Sequence, residues 1–583
     1  MFKTIWSVAV IVTCVAVIGY GADQADLPRN NVFTRISDGS SGADSAFAPV
    51  KGNVRSISII TEKPYTRRFL PLIDAIEQEM EDLNIPGAAV AVIEAGETTF
   101  AAGLGSKHPH HDDPVQPSTL FRIGSVTKML TAIGLLQLVD QGLVDPNAPI
   151  TDYLPDFSFA YDANWAPSIT VRNLLTHTSA VADYFEIDTP GFKDDDALST
   201  YLGGPYGESA HAYLMAPAGR MFNYTNPGYI LAGWVTETVS GTYYRLYIQE
   251  NVLAPLGMAR TFFLPERVIA DGDFAYGSTL HWETGEPFVV EPNTYDNGWG
   301  RPAGLAFSNV LDLAEVVKFL RAGQPDVLTD ELRMAMQEPQ FDMEMFLDLI
   351  HYGYGLIVQE AGFYHPEVPN FYRLRVVSHG GDVYGFSADL YYVPDLDFGF
   401  VTLTNASVAH LNTSFATALT TLCDMPAPSS IPDLSMTPAD YAKYAGQYYD
   451  AYGVGDVIVT SSAGELTVEI ASFEEEGGEY GHTLLPSTRN NFILYVHDVK
   501  NFEELPVQVT FILDDEGASE YFRTRGFVAE RTAEIPPEPG GRRRFEGPRP
   551  TASFPVPDVN PCLPGPQLPF ITPPARRIDR KMR

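Results

Sequence analysis

Residues 122–144, RIGSVTKMLTAIGLLQLVDQGLV, are the most informative stretch of the chain because a polar turn runs directly into a long apolar segment. Ser125 stands at the predicted start of a helix, where free backbone N–H groups and the positive end of the helix dipole lie. Lys128 follows three residues later and therefore on the same helical face. If that face is buried, the lysine is driven toward its neutral form and can accept the proton of the serine hydroxyl. This motif alone leaves open the alternative of a helix cap beside a surface lysine.

A serine–lysine nucleophile also needs a second proton carrier. The segment NYTNPGYILAGWV offers Tyr224 and Asn226 on a predicted loop before another apolar helix. A phenol held near a lysine cation loses its proton more easily and can act as a base. The same spacing recurs at Tyr295 and Asn297, but no apolar helix follows there. Tyr224 is therefore the preferred candidate.

The segment SHGGDVYGFSA places His379, Gly380 and Gly381 at the end of a predicted strand. Paired glycines allow a substrate to come close to the backbone. The N–H of Asp382 could then join the N–H of Ser125 in stabilising an oxyanion. The alternative is a tight turn that contains an incidental histidine.

Taken in this order, the three motifs resemble the serine β-lactamase and penicillin-binding-protein superfamily. Flanking segments such as VRNLLTHTSAV and RPAGLAFSNVLDLA are similar to its class C β-lactamase-related branch, which includes esterases, D-aminopeptidases and carboxypeptidases. The resemblance covers roughly residues 66–425. It implies Ser125 as nucleophile, Lys128 and Tyr224 as the groups that move protons, and Asn226 as the group that orients the substrate amide and the lysine.

The resemblance also places His379 where the family usually has a lysine. That lysine binds the carboxylate of a β-lactam or of a D-Ala-D-Ala peptide, whereas a histidine is mostly neutral at pH 7. We therefore expect a serine hydrolase that acts on small uncharged esters. A D-aminopeptidase, a D-Ala carboxypeptidase or a β-lactamase is the enzymatic alternative, with a small peptide or β-lactam as substrate. A catalytically silent binding protein of the same fold is the alternative of another class.

The order of predicted elements indicates an α+β fold for residues 66–428. Strands near residues 100 and 390 bracket a helical middle, which predicts one antiparallel sheet built from both ends, covered by helices, with an all-helical lobe beside it. This is the β-lactamase/transpeptidase-like fold. Short alternating strands at residues 436–532 predict a separate all-β, barrel-like domain beyond a Pro-rich junction. It resembles the lipocalin-like domain that some family members carry.

Composition constrains partners and location. The net charge of −36 argues against nucleic acid, which needs a basic surface. Residues 1–22 look like a secretory signal or an uncleaved anchor, and either would place the rest of the chain outside the cytoplasm. We expect a membrane contact only if this segment stays uncleaved. Residues 23–65 are interpreted as a linker and residues 533–583 as a disordered Pro/Arg-rich tail.

The three cysteines exclude a disulfide framework but leave a pair between Cys423 and Cys562 possible. The histidine tract SKHPHHDD has the composition of a metal site. It lies in a predicted loop before the helix of Ser125, and the family that the chain resembles needs no metal. We therefore expect neither a metal ion nor a cofactor.

Overall fold

The computed structural model describes residues 58–60 and 67–533, except 156, 158–167, 184–191, 203–212, 282–285, 346–347, 369, 434–435, 453, 476–479 and 499–502. The expected signal or anchor at residues 1–22 lies outside these residues. The linker at 23–65 and the tail at 533–583 lie almost wholly outside them. Cys562 is also outside, so its pairing with Cys423 stays a prediction.

An antiparallel sheet drawn from both ends of residues 58–404 forms the centre of the larger domain. The strands of this domain in the described residues are, in chain order, β1 (Ser58–Ile60), β2 (Gly87–Glu94), β3 (Glu97–His108), β4 (His111–Pro114), β5 (Phe121–Arg122), β6 (Gly277–Leu280), β7 (Pro287–Val290), β8 (Phe307–Ser308), β9 (Phe341–Asp342), β10 (Ile350–Tyr352), β11 (Ile357–Gln359), β12 (Gly362–Phe363), β13 (Phe371–Tyr372), β14 (Val376–Val383), β15 (Phe386–Val393) and β16 (Phe398–Thr404). The sheet has the order β1-β3-β2-β16-β15-β14-β11-β10-β9, with β4 on β3. The pairs β5–β8, β6–β7 and β12–β13 lie apart from it.

Helices cover this sheet and form the lobe beside it. Those described are α1 (Leu70–Asp82), α2 (Thr127–Asp140), α3 (Val171–Leu175), α4 (Ala197–Leu202), α5 (Asn226–Ser240), α6 (Tyr244–Ile248), α7 (Ala254–Leu256), α8 (Pro265–Asp271), α9 (Arg301–Gly304), α10 (Val310–Ala322), α11 (Asp330–Met336) and α12 (Asn412–Leu422). Single 3₁₀ turns occupy Arg67–Phe69, Gly124–Val126, Ile150–Asp152 and Pro394–Leu396, and a π turn occupies Gln249–Leu253. The predicted α+β, β-lactamase-like architecture is confirmed. None of the described helices combines the length and the apolar character that a membrane span requires.

Strand β2 shows why the sheet is buried on both sides. Successive side chains of a strand point to opposite faces. One face of β2 packs in the cluster that includes α2, α5 and α10, and the other packs in the cluster that includes α1 and α12. In α1, Leu70 is 38% exposed, whereas Leu72, Ile73, Ile76 and Met80 are buried in the core. Helix α2 is buried on almost every side and therefore lies at the centre of the domain.

Two glycines hold the turn before α2 against strand β14. Gly124 has φ +49°, a left-handed conformation that favours glycine, and a Cβ there would lie 2.6 Å from the Asp382 nitrogen. A Cβ at Gly381 would lie 2.1 Å from the Ile123 carbonyl oxygen and 2.8 Å from the Ser125 nitrogen. The turn and the strand therefore meet backbone to backbone.

The C-terminal domain is a nearly closed antiparallel barrel, as the alternating pattern predicts. Its described elements are a 3₁₀ helix (Pro438–Lys443), β17 (Gly446–Asp450), β18 (Gly455–Ser462), β19 (Glu465–Ile470), α13 (Ala471–Glu475), β20 (Leu485–Thr488), β21 (Asn491–Asp498), β22 (Glu503–Leu513), β23 (Ser519–Arg523) and β24 (Val528–Ala533). The strand order is β19-β18-β17-β24-β23-β22-β21-β20. Aromatic side chains from β17, β21, β22 and β23 fill its interior. The lipocalin-like assignment stays a prediction.

The barrel packs against the helical lobe. Ile512, Tyr521 and Val528 of the barrel share an apolar cluster with Ala180 and Met215. All described residues belong to one compact unit.

Substituting Gly381→Ala should both destabilise the chain and misplace the turn of Ser125. The new methyl group would meet backbone atoms, which cannot move aside as a side chain can, so we expect a loss of about 1–3 kcal/mol in the free energy of unfolding. Urea unfolding would measure it. Gly228→Ala is the matched control, because a Cβ there finds its nearest neighbours at 3.5 Å. Equal stability of the two variants would contradict this packing.

Candidate active site

Ser125 lies in the Gly124–Val126 turn at the head of α2, and its side chain is half-buried. Lys128 lies in the first turn of the helix, and its Nζ lies 3.0 Å from Ser125 Oγ. The predicted three-residue spacing therefore becomes a direct contact between a hydroxyl and an amine. The hydroxyl and the amine therefore lie within the distance that proton transfer needs.

The Lys128 amine is completely buried and has two further partners. Its Nζ lies 2.8 Å from Asn226 Oδ1 and 2.7 Å from the Ala303 carbonyl oxygen, both of which accept N–H donors. Burial lowers the pKa of Lys128 well below its usual value. A neutral amine has two hydrogens and one lone pair. If the two oxygens accept both hydrogens, the lone pair faces the Ser125 hydroxyl.

Tyr224 and Asn226 both reach this lysine from the loop and first turn of α5. Asn226 does so through its side-chain oxygen, as above. The ring of Tyr224 lies beside the amine, with Lys128 Nζ 4.9 Å from the ring centroid. The same ring also stacks on the ring of His177, with centroids 4.0 Å apart.

The rival pair, Tyr295 and Asn297, serves other contacts. Tyr295 stacks on Tyr384 with centroids 5.3 Å apart. Asn297 is buried, and its side-chain oxygen accepts the N–H of Gly300 at 2.6 Å, just before α9. The structure thus brings Asn226 rather than Asn297 to Lys128.

The backbone around Gly381 supplies a candidate oxyanion site. The nitrogens of Ser125 and Asp382 both lie at the junction of the turn and β14 that the two glycines create. The carboxylate of Asp382 is held among buried side chains: it accepts the Ser387 hydroxyl at 2.7 Å and contacts His410 Nε2 at 2.9 Å. His410 Nδ1 lies 2.9 Å from Asp389 as well. The negative charge of Asp382 is therefore engaged by protein groups, while its amide nitrogen lies at the turn.

The resemblance places His379 at the substrate-binding position of the third motif, and that expectation needs correction. His379 is only 3% exposed, and both ring nitrogens have protein partners. Nδ1 lies 2.6 Å from the Gly380 carbonyl oxygen, to which it must donate, and Nε2 then accepts the Tyr352 hydroxyl at 3.0 Å. Burial first, and the nearby Lys128 second, lower the pKa of His379 to about 3. The ring is neutral, as expected, but it is buried and binds Tyr352 and the Gly380 carbonyl within the protein.

Sequence reasoning overlooked three residues that meet at this site. His177 is buried against Tyr224, and its Nδ1 accepts the Thr225 N–H at 3.1 Å. Asp183 Oδ1 accepts the Asn226 N–H at 3.0 Å. Arg525 enters from the turn between β23 and β24, and its Nη2 donates to Asp183 Oδ2 at 2.6 Å. His177 stands in one of the family-like segments, whereas nothing local signals the pairing of Asp183 with Arg525.

Within the described residues, no group of three or more His, Cys, Asp or Glu side chains has an arrangement that could hold a metal ion. The histidine tract lies at the β3–β4 hairpin, where the rings of His108 and His111 pack with centroids 4.2 Å apart.

The chain is similar to a known protein family and to proteins of known sequence. A family model described as Beta-lactamase matches residues 72–419, which is more than half of the chain. Protein flp of Staphylococcus aureus (strain NCTC 8325 / PS 47) is 24% identical over 345 residues, covering 58% of this chain and 64% of that protein. Penicillin-binding protein 4 of Amycolatopsis lactamdurans is 30% identical over 238 residues, covering 41% of this chain and 59% of that protein. The chain thus spans less than two thirds of each relative.

A solved structure is similar over a longer range. The crystal structure of SurE with D-Leu has a TM-score of 0.58 at 23% identity, and the match covers 80% of this chain and 99% of that one. At this identity the likeness concerns the fold alone. Its extent exceeds residues 72–419, so the similarity in fold continues beyond the part that the family model matches.

The pH dependence of Ser125 acylation should report the protonation of Lys128. The amine can accept a proton only when it is neutral, so the rate should rise as pH increases through the pKa of Lys128, with a midpoint below that of an ordinary lysine. Lys128→Arg should lower the rate by about 10²–10⁴-fold, because a guanidinium does not deprotonate. Lys318→Arg is the control, since Lys318 pairs with Glu315 on the surface. An unchanged pH profile in Lys128→Arg would contradict the assignment.

His379→Lys should destabilise the chain rather than retune its specificity. The substitution places an ammonium group in a buried site beside Lys128, which we expect to reduce the free energy of unfolding by about 3–5 kcal/mol. His379→Gln, which keeps a donor and an acceptor, should lose less. Urea unfolding at pH 7 measures both. A stable His379→Lys variant that gains activity on carboxylate substrates would show that residue 379 faces the substrate.

Proposed function

The chain belongs to the Beta-lactamase family, and on that premise we propose that it is a serine hydrolase acting on small uncharged esters through an acyl-enzyme on Ser125. The observation that carries the proposal is the contact of 3.0 Å between Ser125 Oγ and the buried amine of Lys128. A serine paired with a desolvated base is an activated nucleophile. Burying a lysine amine destabilises the folded chain, and a binding protein without catalysis gains nothing from it.

The proposed reaction has two halves. As the Lys128 amine takes the hydroxyl proton, Ser125 Oγ forms a bond to the ester carbonyl carbon, and the carbonyl oxygen becomes an oxyanion. The N–H groups of Ser125 and Asp382 would stabilise that charge. The intermediate collapses, the C–O bond to the alcohol breaks, and the alcohol leaves with the proton from Lys128. Water then attacks the acyl group in the same manner, which releases the acid and restores Ser125.

Asn226 and Tyr224 would support the lysine during this cycle. Asn226 accepts an N–H from Lys128 and so keeps the lone pair directed at the serine. The ring face of Tyr224 lies close enough to stabilise the ammonium that forms transiently. The proposal also gives the Tyr224 hydroxyl a role in proton transfer, which is taken from the family resemblance.

Support for an uncharged substrate comes from the third motif. The residue at position 379 is a neutral histidine engaged with Tyr352 and the Gly380 carbonyl, so it offers no cation to a substrate carboxylate. The name of the relative Penicillin-binding protein 4 favours a second candidate, reaction with β-lactams. Export through the N-terminal apolar segment is also part of the proposal.

A fluorophosphonate probe and a substrate panel test these points. The probe should add to wild-type protein and not to Ser125→Ala, as read by intact mass. Ser199→Ala is the control, since Ser199 also lies near a helix start but has Leu202 three residues later. In kcat/KM, p-nitrophenyl acetate and butyrate should exceed the carboxylate-bearing substrates nitrocefin and D-Ala-D-Ala peptides by about ten- to a hundredfold, the scale of a lost charged contact. Faster hydrolysis of nitrocefin would favour the second candidate.

A further inference from the structure

The C-terminal barrel reaches into the active site through one short turn. Arg523 ends β23 and Val528 begins β24, and the two residues pair across the hairpin. Between them the turn is closed on itself, since Thr524 N donates to the Phe527 carbonyl oxygen at 2.9 Å and Phe527 N donates to Thr524 Oγ1 at 3.0 Å. Arg525 projects from this braced turn, and its side chain is 13% exposed.

Arg523 fastens the same hairpin to the loop that carries Tyr224. Its Nη1 donates to the Phe222 carbonyl oxygen at 2.6 Å, and its Nη2 donates to the Met343 carbonyl oxygen at 3.1 Å. The guanidinium of Arg525 then lies 5.2 Å from the centroid of the Tyr224 ring. The barrel thus supplies a fixed cation to a site whose other residues come from the larger domain.

Asp183 explains why a cation is needed there. Its Oδ1 accepts the N–H of Asn226 at the start of α5 and so holds the residue that orients Lys128. The carboxylate is only 4% exposed, and its negative charge favours the protonated form of Lys128, which opposes its use as a base. Arg525 pairs with the other oxygen of Asp183 and acts on Lys128 in the opposite direction.

Other groups around the Lys128 amine add little charge. The two histidines there are neutral, because burial lowers the pKa of each. Among the described residues, the titratable and charged groups that act on this amine are Asp183, Arg525, His177, His379, Tyr224 and Tyr229. Burial has the largest effect on the pKa of Lys128, and the opposing charges of Asp183 and Arg525 act on it in addition.

We propose that Arg525 is a positioning residue of the active site, through which the C-terminal barrel offsets the charge of Asp183 and keeps Lys128 available as a base. Asp183 can then hold Asn226 without stabilising the ammonium. The inference rests on the proposed function, because it assigns Arg525 a part in preparing the same serine–lysine pair. It makes the barrel a working part of the hydrolase rather than an appended domain.

The two halves of this ion pair can be separated by the direction of their effects. Arg525→Gln should raise the pKa of Lys128, whereas Asp183→Asn, which keeps an acceptor for the Asn226 N–H, should lower it. The double variant should return the pKa close to that of the wild type. If the pair served only to fasten the two domains, both single variants would disturb the site in the same direction.

Two measurements on the full-length chain read these shifts. NMR of ε-¹³C-labelled lysine follows the titration of Lys128, with its signal assigned by Lys128→Arg. The pH profile of fluorophosphonate labelling follows the same group through the rate. For Arg525→Gln we expect about a tenfold fall in labelling at pH 7, because less of the amine is neutral. Arg525→Lys, which keeps the charge, should retain most of the rate.

Glu520→Gln is the matched control. Glu520 of the barrel pairs with Arg220 of the larger domain, so its loss weakens the same interface without touching the charges around Lys128. It should leave both readouts unchanged. Shifts of the same sign in Arg525→Gln and Asp183→Asn, or no shift in either, would overturn the proposal. Opposite NMR shifts in the two variants, together with a wild-type protein that is never labelled at Ser125, would support it and refute the proposed function instead.

Discussion

The burial of the Lys128 amine is the constraint on which the rest of the site depends. Removal from water destabilises the charged form of a lysine amine, so the pKa of Lys128 falls. The amine still needs partners for its hydrogens, which Asn226 and the Ala303 carbonyl provide. The remaining direction is toward Ser125. Helix α2 is almost entirely buried, and the turn before it contacts the backbone of Gly381. Both features hold the Lys128 amine beside the Ser125 hydroxyl.

The same constraint explains the composition of the surrounding shell. The histidines beside the lysine are uncharged, and the nearby carboxylate of Asp183 is paired with Arg525. The charge of Asp183, which favours the charged form of the amine, is therefore offset by a cation. The offsetting cation comes from the barrel, 342 residues along the chain from its partner. The domain that lies outside the matched family range thus contributes to the centre of the site.

The local part of this arrangement could be predicted from the sequence. Ser125, Lys128, Tyr224 and Asn226 stand at the starts of two apolar helices, and helical spacing fixes which of them share a face. Alternation of polar and apolar residues similarly predicted the central strands and the all-β domain.

Contacts between distant segments could not be predicted in this way. The hydrogen bond from the Tyr352 hydroxyl occupies Nε2 of His379, so this histidine does not face a substrate as expected. The sequence around neither residue indicates that contact. Asp183 and Arg525 each stand in ordinary loop sequence. Which turn of a barrel enters a cleft depends on how two domains pack, and periodicity does not contain that information.

The protonation of Lys128 can be seen directly by neutron diffraction from crystals of the full-length chain grown near neutral pH and exchanged into D₂O. The account predicts two deuterons on Nζ, directed at Asn226 Oδ1 and the Ala303 carbonyl oxygen, with the Ser125 deuteron pointing at the lone pair. Three deuterons on Nζ, one of them directed at Ser125 Oγ, would contradict it, because the lysine would then be an ammonium ion that cannot accept the proton of the serine.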